Sequence, residues 1–304
     1  MSTQSNAMSE SFQSQSIAPA VIPATRMLYW SVRRELWENR SIYLAPLAVA
    51  AVALFAFSLS SIAGIWEKPL RLNPEQPQAP YEMAAGLLML TGIVLSVFYC
   101  LDALYGERRD RSILFWKSLP VSDVTAVLAK ASIPLVVLPL LIFAITVAMQ
   151  WIMLLVSSAV LMVSGQSVAT LWTRLSFFQM SMLLLYHLVT AHTLWPAPIY
   201  CWLLLVSGWA RRAPFLWAVL PLLAIGGVEK IAFQTSHFAA MVGSRIIGNA
   251  PAVGFTGPDM FPTDPMTHIT PGLFLSGPGL WIGLAIAAAF LSAAVRLRRS
   301  QGPI

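Results

Sequence analysis

Charge is what this sequence has least of. Asp, Glu, Lys and Arg make up 11% of its 304 residues, against about 25% in a soluble domain. Cysteine is rarer still: Cys100 and Cys201 are the two present, and both fall in apolar runs. Two such thiols build neither a disulfide framework nor a metal cluster, and they read as small buried hydrophobes. No Gly-Lys pair occurs anywhere, so the chain has no Gly-rich loop of the form GxxxxGKS or GxxxxGKT to cradle a nucleotide phosphate. HExxH, CxxC and GxSxG are absent as well.

Apolar sequence fills the space that charge leaves. Hydrophobic residues are 57% of the chain and the mean hydropathy is +0.70, the composition of a polytopic membrane protein. A crossing helix needs about 20 mostly apolar residues. Six segments are candidates: 41–65, 83–105, 124–163, 171–209, a short one at 214–228, and 273–295. The third contains Pro134 and Pro139, which remove backbone donors and can kink it. The fourth is interrupted by WPAP at 195–198, and one broken helix is the preferred reading. Residues 1–25, rich in Ser and Gln, have no apolar run behind a basic start and read as a disordered cytoplasmic tail rather than a signal peptide.

The net charge of +6 is mostly a topology signal. Basic residues of short loops belong on the cytoplasmic side. With the N terminus inside, 14 of the 19 Lys and Arg residues fall on the inner side, and Lys68, Arg71, Arg174, Lys230 and Arg245 fall outside. Nucleic acid is not needed to explain the charge. Both termini are expected inside.

Residues 26–40, RMLYWSVRRELWENR, place Leu28, Val32 and Leu36 on one helical face, flanked by Trp30 and Trp37, with Arg33, Arg34, Glu35 and Glu38 polar. This pattern predicts a helix in the inner interface. On the outer side, 66–82 is Pro-rich and polar, and 229–272 is a longer connection with short helices expected near 231–247. His187 and His192 are five residues apart, about 500° of α-helical rotation, which puts them on different faces. Asp102 is expected at the solvated inner end of its span, and Glu229 with Lys230 as an interface anchor or ion pair.

The charge that does exist is concentrated. Residues 105–122, YGERRDRSILFWKSLPVS, put four charges into the five residues ERRDR between two long apolar segments. The loop has room for one short helix, about 108–118, stopped before Pro120. Ser122 or Asp123 can cap the next helix. Ile113, Leu114, Phe115 and Trp116 form an apolar patch beside basic residues, which suits either insertion into a groove on another protein or a topology anchor in the headgroups.

The stretch GERRDRSILFWKSLPVSDVTAVLAK, 106–130, resembles the loop between spans two and three of ABC-2-type permeases, the membrane subunits of bacterial ABC transporters. The run LWPAPIYCWLLLVSGWARRAPFLWAVLP, 194–221, and the six-span layout are similar to the same family. The resemblance covers about 26–299. It implies an all-α integral membrane protein with six transmembrane helices, an N-terminal interfacial elbow helix and a cytoplasmic coupling helix. The domain division it implies is a 1–25 tail and a 26–304 transmembrane domain. It implies no ATPase activity and no cofactor in this chain. ATP and Mg²⁺ would sit on a separate cytoplasmic ATP-binding subunit, docked through Glu107, Arg108, Arg109, Asp110, Arg111, Phe115, Trp116 and Lys117. It further implies a second permease chain, most simply an identical one, in the bacterial inner membrane, and export as the direction of transport. Three other classes compete: a non-transporting scaffold that binds an ATPase, a membrane-embedded enzyme and a channel. For the enzyme only scattered histidines are available, and for the channel no filter-like segment is visible in the spans.

Overall fold

A computed structural model of the chain describes residues 23–67, 79–118, 121–247 and 271–302. The expectations for the tail up to residue 22, for the stop at Pro120, and for most of 66–82 and 248–272 lie outside these residues. Among the described residues every regular element is helical. Five helical stretches are long and apolar enough to cross a membrane: Ser41–Ile62, Ala79–Arg109, Asp123–Val163, Pro214–Phe233 and Pro278–Ser300. Phe177–Leu194 and Ala197–Trp209 make a sixth when counted as one span, bent by 44°.

The chain begins with α1 (Ala24–Glu38), which starts after extended Pro23 and ends where Asn39 bonds back to the Glu35 carbonyl. Helix α2 (Ser41–Glu67) follows at once, and α3 (Ala79–Ala103) and α4 (Tyr105–Arg109) form the second crossing. The single helix expected over 108–118 is broken. It divides at Asp110 and Arg111, where Arg111 takes a left-handed φ of 57°, and α5 (Ser112–Ser118) starts in a new direction. Helix α6 (Asp123–Ser132) is capped by the Ser122 hydroxyl, which accepts from Thr125 N at 3.1 Å.

A π-helical stretch, Ile133–Val137, joins α6 to α7 (Leu138–Val163) at the position of Pro134. The proline lacks the N–H an α-turn needs, and the wider turn absorbs the loss. The whole Asp123–Val163 crossing has 41 residues, about 60 Å of helix against a hydrocarbon core of about 30 Å. Helix α6 therefore stands beyond the apolar layer.

The fourth span starts later than 171. Helix α8 (Val168–Arg174) is separate, because Leu175 is extended, and the span begins with α9 (Phe177–His187). A second π-helical stretch, Leu188–Leu194, leads to the break at Trp195–Pro196 and then to α10 (Ala197–Trp209). Helices α11 (Pro214–Phe233) and α12 (His237–Ile247) form a hairpin, and the last crossing is split by Gly277 into α13 (Pro271–Ser276) and α14 (Pro278–Ser300).

Two apolar clusters hold the bundle. One joins α2, α3, α7 and α9 around Leu88, Ile142, Met149, Met153 and Leu188. Gly92 lets α3 approach α7 closely, since a Cβ there would lie 3.1 Å from Ile142. The other lies nearer the loop ends, around Ile42, Cys100, Ile133, Leu138 and Leu204. Both cysteines are free and buried. Helices α10 and α14 run side by side in one direction: Ala197 and Cys201 meet Leu284 and Ala287, and Leu205 meets Ala294. Helix α11 is the opposite case, with Ala218 its buried residue and Phe215, Leu220, Leu223 and Val228 exposed. Such a surface fits lipid rather than water.

Candidate functional site

The helix ends that carry most of the charge meet in one place. Glu35 from α1, Glu107 from α4, Lys130 from α6 and Arg298 from α14 are all buried. Lys130 Nζ donates to Glu35 Oε1 at 2.9 Å and lies 3.2 Å from Glu107 Oε1. Arg34 Nη2 reaches the same two carboxylates, at 2.7 Å and 3.3 Å. Arg298 donates through Nη1 to Glu107 Oε2 and through Nε to Asp123 Oδ1, the latter at 3.1 Å. The Tyr99 hydroxyl donates to Glu35 Oε2 at 2.8 Å. Three acids, Glu35, Glu107 and Asp123, thus alternate with three bases, Arg34, Lys130 and Arg298, and tie four helices together.

Burial alone would raise the Glu35 pKa. The Lys130 charge and hydrogen bond, the Arg34 charge and the Tyr99 hydroxyl outweigh it and hold the carboxyl below its ordinary value of 4.5. Taking these charges out of water costs most of what their attraction returns, so the cluster fixes geometry more than it adds net stability.

Around this cluster the residues expected to dock a partner separate into two groups. Glu107 and Arg108 are turned inward. Glu107 is held as described, and Arg108 donates through Nη1 to the carbonyls of Gly208 and Ala210 and through Nε to that of Gly302. It caps the C-terminal end of α10, whose last carbonyls have no helical partner. Arg109, Asp110 and Arg111 are exposed, and Arg109 pairs with Asp110 at 3.0 Å and Asp102 at 3.8 Å.

On α5, Ile113 is buried, while Leu114 and Phe115 are 58% and 59% exposed. Trp116 lies under the Arg34 guanidinium, 3.7 Å from ring centroid to Cζ, and Lys117 Nζ donates to the Gln301 carbonyl at 2.9 Å. The short helix therefore has an inner side fastened to α1, α4 and the chain after α14. Its outer side presents Leu114 and Phe115, next to Arg109, Asp110 and Arg111 at the break before it.

Glu35, Asp123, Lys130 and Arg298 carry the cluster, and the sequence reading did not single them out. Lys130 and Arg298 counted only as topology charges. Glu35 stood among polar residues of α1, yet it falls between Val32 and Leu36 on the face packed toward α6. An acid on an apolar face, and a lysine several residues inside an apolar run, were the available signals.

The histidines also differ from expectation. The stretch between them is π-helical, Leu188–Leu194, and winds more slowly than the α-helix assumed from the sequence, so the expected rotation of about 500° does not apply to it. Both are buried, and His187 Nδ1 donates to the Leu183 carbonyl at 2.9 Å. Among the described residues no group of three His, Cys, Asp or Glu is placed to hold a metal ion. Glu229 does not use Lys230. Its carboxylate accepts from Thr235 Oγ1 and from the backbone N–H groups of His237 and Phe238, which fastens the start of α12 to α11. Asp102 is exposed as expected.

Comparisons with family models, with curated proteins and with solved structures each return no match for this chain, so the reading of the site rests on its residues and their geometry.

Proposed function

We propose that this chain is the membrane-spanning permease subunit of an ABC transporter, an exporter driven by a separate cytoplasmic ATP-binding subunit. The observation that carries the reading is the two-sided α5. Its exposed side offers Leu114 and Phe115, and with Arg109, Asp110 and Arg111 at the break before it makes a mixed apolar and charged edge suited to a groove in another protein. Its fastened side joins, through Trp116 on Arg34 and Lys117 on Gln301, the region where α1, α4, α6 and α14 share one ion cluster. A push on α5 is thereby delivered to four helices at once.

In this reading α5 is the coupling helix and α1 the elbow helix at the inner interface. The chain holds no cofactor of its own, and ATP with Mg²⁺ binds the partner. Two copies of the permease form the membrane unit, in the inner membrane with both termini cytoplasmic. Nucleotide drives the change of state only through different affinities for the two states. Nucleic acid has no part in it.

Co-purification with candidate ATP-binding subunits tests this. Trp116→Ala would disturb Arg34 inside the chain, so the informative variant is Arg109→Ala with Phe115→Ala, both exposed. That double variant is expected to lose the ATPase while its thermal midpoint stays unchanged. Undiminished recovery of the ATPase with the double variant would remove α5 as the docking element.

A further inference from the structure

Between α1, α5, α6 and the end of α14 lies a cavity of about 360 Å³. Its charged lining is Arg34, Lys117, Arg298 and Asp123, and its aromatic walls are Trp30 and Trp116. The floor is the small-residue face of α6. The ion cluster does not use up the donors of these cations. Arg298 spends Nε on Asp123 and Nη1 on Glu107, which leaves Nη2. Lys117 spends one of its three N–H bonds on Gln301. Arg34 makes its pairs through Nη2 to Glu35 and Glu107 and through Nε to Glu38 at 3.5 Å, and no bond from its Nη1 is formed within the cluster.

The depth of the cavity narrows the choice of acceptor. Helix α1 passes directly into the crossing helix α2, and α6 is the projecting start of another crossing. The cavity therefore sits where helices enter the bilayer, the level of lipid headgroups, and indole rings such as Trp30 and Trp116 favour that level. Arginine guanidinium groups match phosphate oxygens in a planar fork. We propose that this cavity binds the headgroup phosphate of an anionic phospholipid, with Arg34, Lys117 and Arg298 as donors and Trp30 and Trp116 flanking the glycerol. Asp123 stays turned to Arg298. A bound lipid bridges α1 to α5 and becomes part of the face on which α5 rests.

Native mass spectrometry of the full chain in detergent tests the site, with short-chain phosphatidylglycerol and phosphatidylcholine of equal acyl length as probes. Lys117→Gln and Trp30→Ala leave the ion cluster intact. Arg299→Gln removes an exposed charge from the same end but outside the cavity. The expected result is preferential retention of phosphatidylglycerol, weakened roughly tenfold by Lys117→Gln, as for loss of one charge-assisted hydrogen bond. Trp30→Ala weakens it too, and Arg299→Gln does not. Equal retention of the two lipids, an equal loss with Arg299→Gln, or displacement by equimolar inorganic phosphate overturns the proposal.

Discussion

Glu107 pairs with cations that come from three different helices: Arg34 of α1, Lys130 of α6 and Arg298 of α14. Removing Glu107 leaves three bases, Arg34, Lys130 and Arg298, on two acids, Glu35 and Asp123, and an uncompensated buried charge costs about 3–5 kcal/mol. Glu107→Gln should therefore lower the thermal midpoint of the purified protein sharply. Glu107→Gln combined with Lys130→Met should recover part of the loss, because the double variant leaves one base to each remaining acid, Arg34 to Glu35 and Arg298 to Asp123. A double variant no better than Glu107→Gln would mean that the surplus lysine charge carries none of the cost. The pH dependence belongs to Glu35. Its pKa is lower in the folded chain than the ordinary 4.5, so the unfolded chain takes up its proton first as pH falls. The stability it contributes is fully present above the ordinary value and is lost as pH drops through the folded value. Thermal midpoints should hold from neutral pH to about pH 5 and fall below it. Glu35→Gln should be less stable at neutral pH and lack that part of the acid loss. The same residue marks a limit of sequence reading. Helical periodicity fixed the apolar face of α1, but Glu35 lies on that face because Lys130, 95 positions later, is there to meet it. Nothing local in either segment states that pairing.

At the scale of elements, length and hydropathy were enough to find the crossings, because a bilayer imposes both on any helix that spans it. The breaks were harder to read. WPAP announced the bend in the fourth span, since proline removes donors on the spot. The division of 108–118 at Arg111 was not legible, because arginine rarely takes a left-handed φ and no glycine stands there to suggest it. Another break is held by a residue from elsewhere. Arg245 of α12 donates to the Trp195 carbonyl at 2.9 Å and to the Gly279 carbonyl, with its guanidinium 4.0 Å from the Trp195 ring centroid. Trp195 Nε1 returns a bond to the Ser244 carbonyl at 3.0 Å. A Cβ at position 283 would overlap that guanidinium, so glycine there makes the clasp fit. Gly283→Ala and Arg245→Ala should each raise hydrogen exchange in α12, and the double variant should exchange no faster than Arg245→Ala alone. Additive effects would mean that Gly283 serves packing of α14 and not the clasp.

On the scale of the whole molecule, one end of the bundle gathers α5, the ion cluster and the chain after α14, while the α11–α12 turn belongs to the opposite end if six crossings are made. The proposed ATPase can reach α5 only if the α5 end faces inward, the orientation expected from the distribution of basic residues. The two native cysteines are buried, so single introduced cysteines can be labelled with little background. Ser118, at the end of α5, and Ser236, between α11 and α12, are both exposed. In intact cells a membrane-impermeant maleimide should label Ser236→Cys and leave Ser118→Cys untouched until the membrane is permeabilised. The reverse pattern would put α5 outside, beyond the reach of a cytoplasmic ATPase, and would end the transporter reading. It would leave the ion cluster standing as a structural clamp, because its bonds depend on which helices meet and not on which side of the membrane they meet. Labelling at both positions in intact cells would mean an even number of crossings between them. The break at Trp195–Pro196 would then be a re-entrant turn rather than a bent span, since that is the one crossing in the interval whose two halves are not continuous.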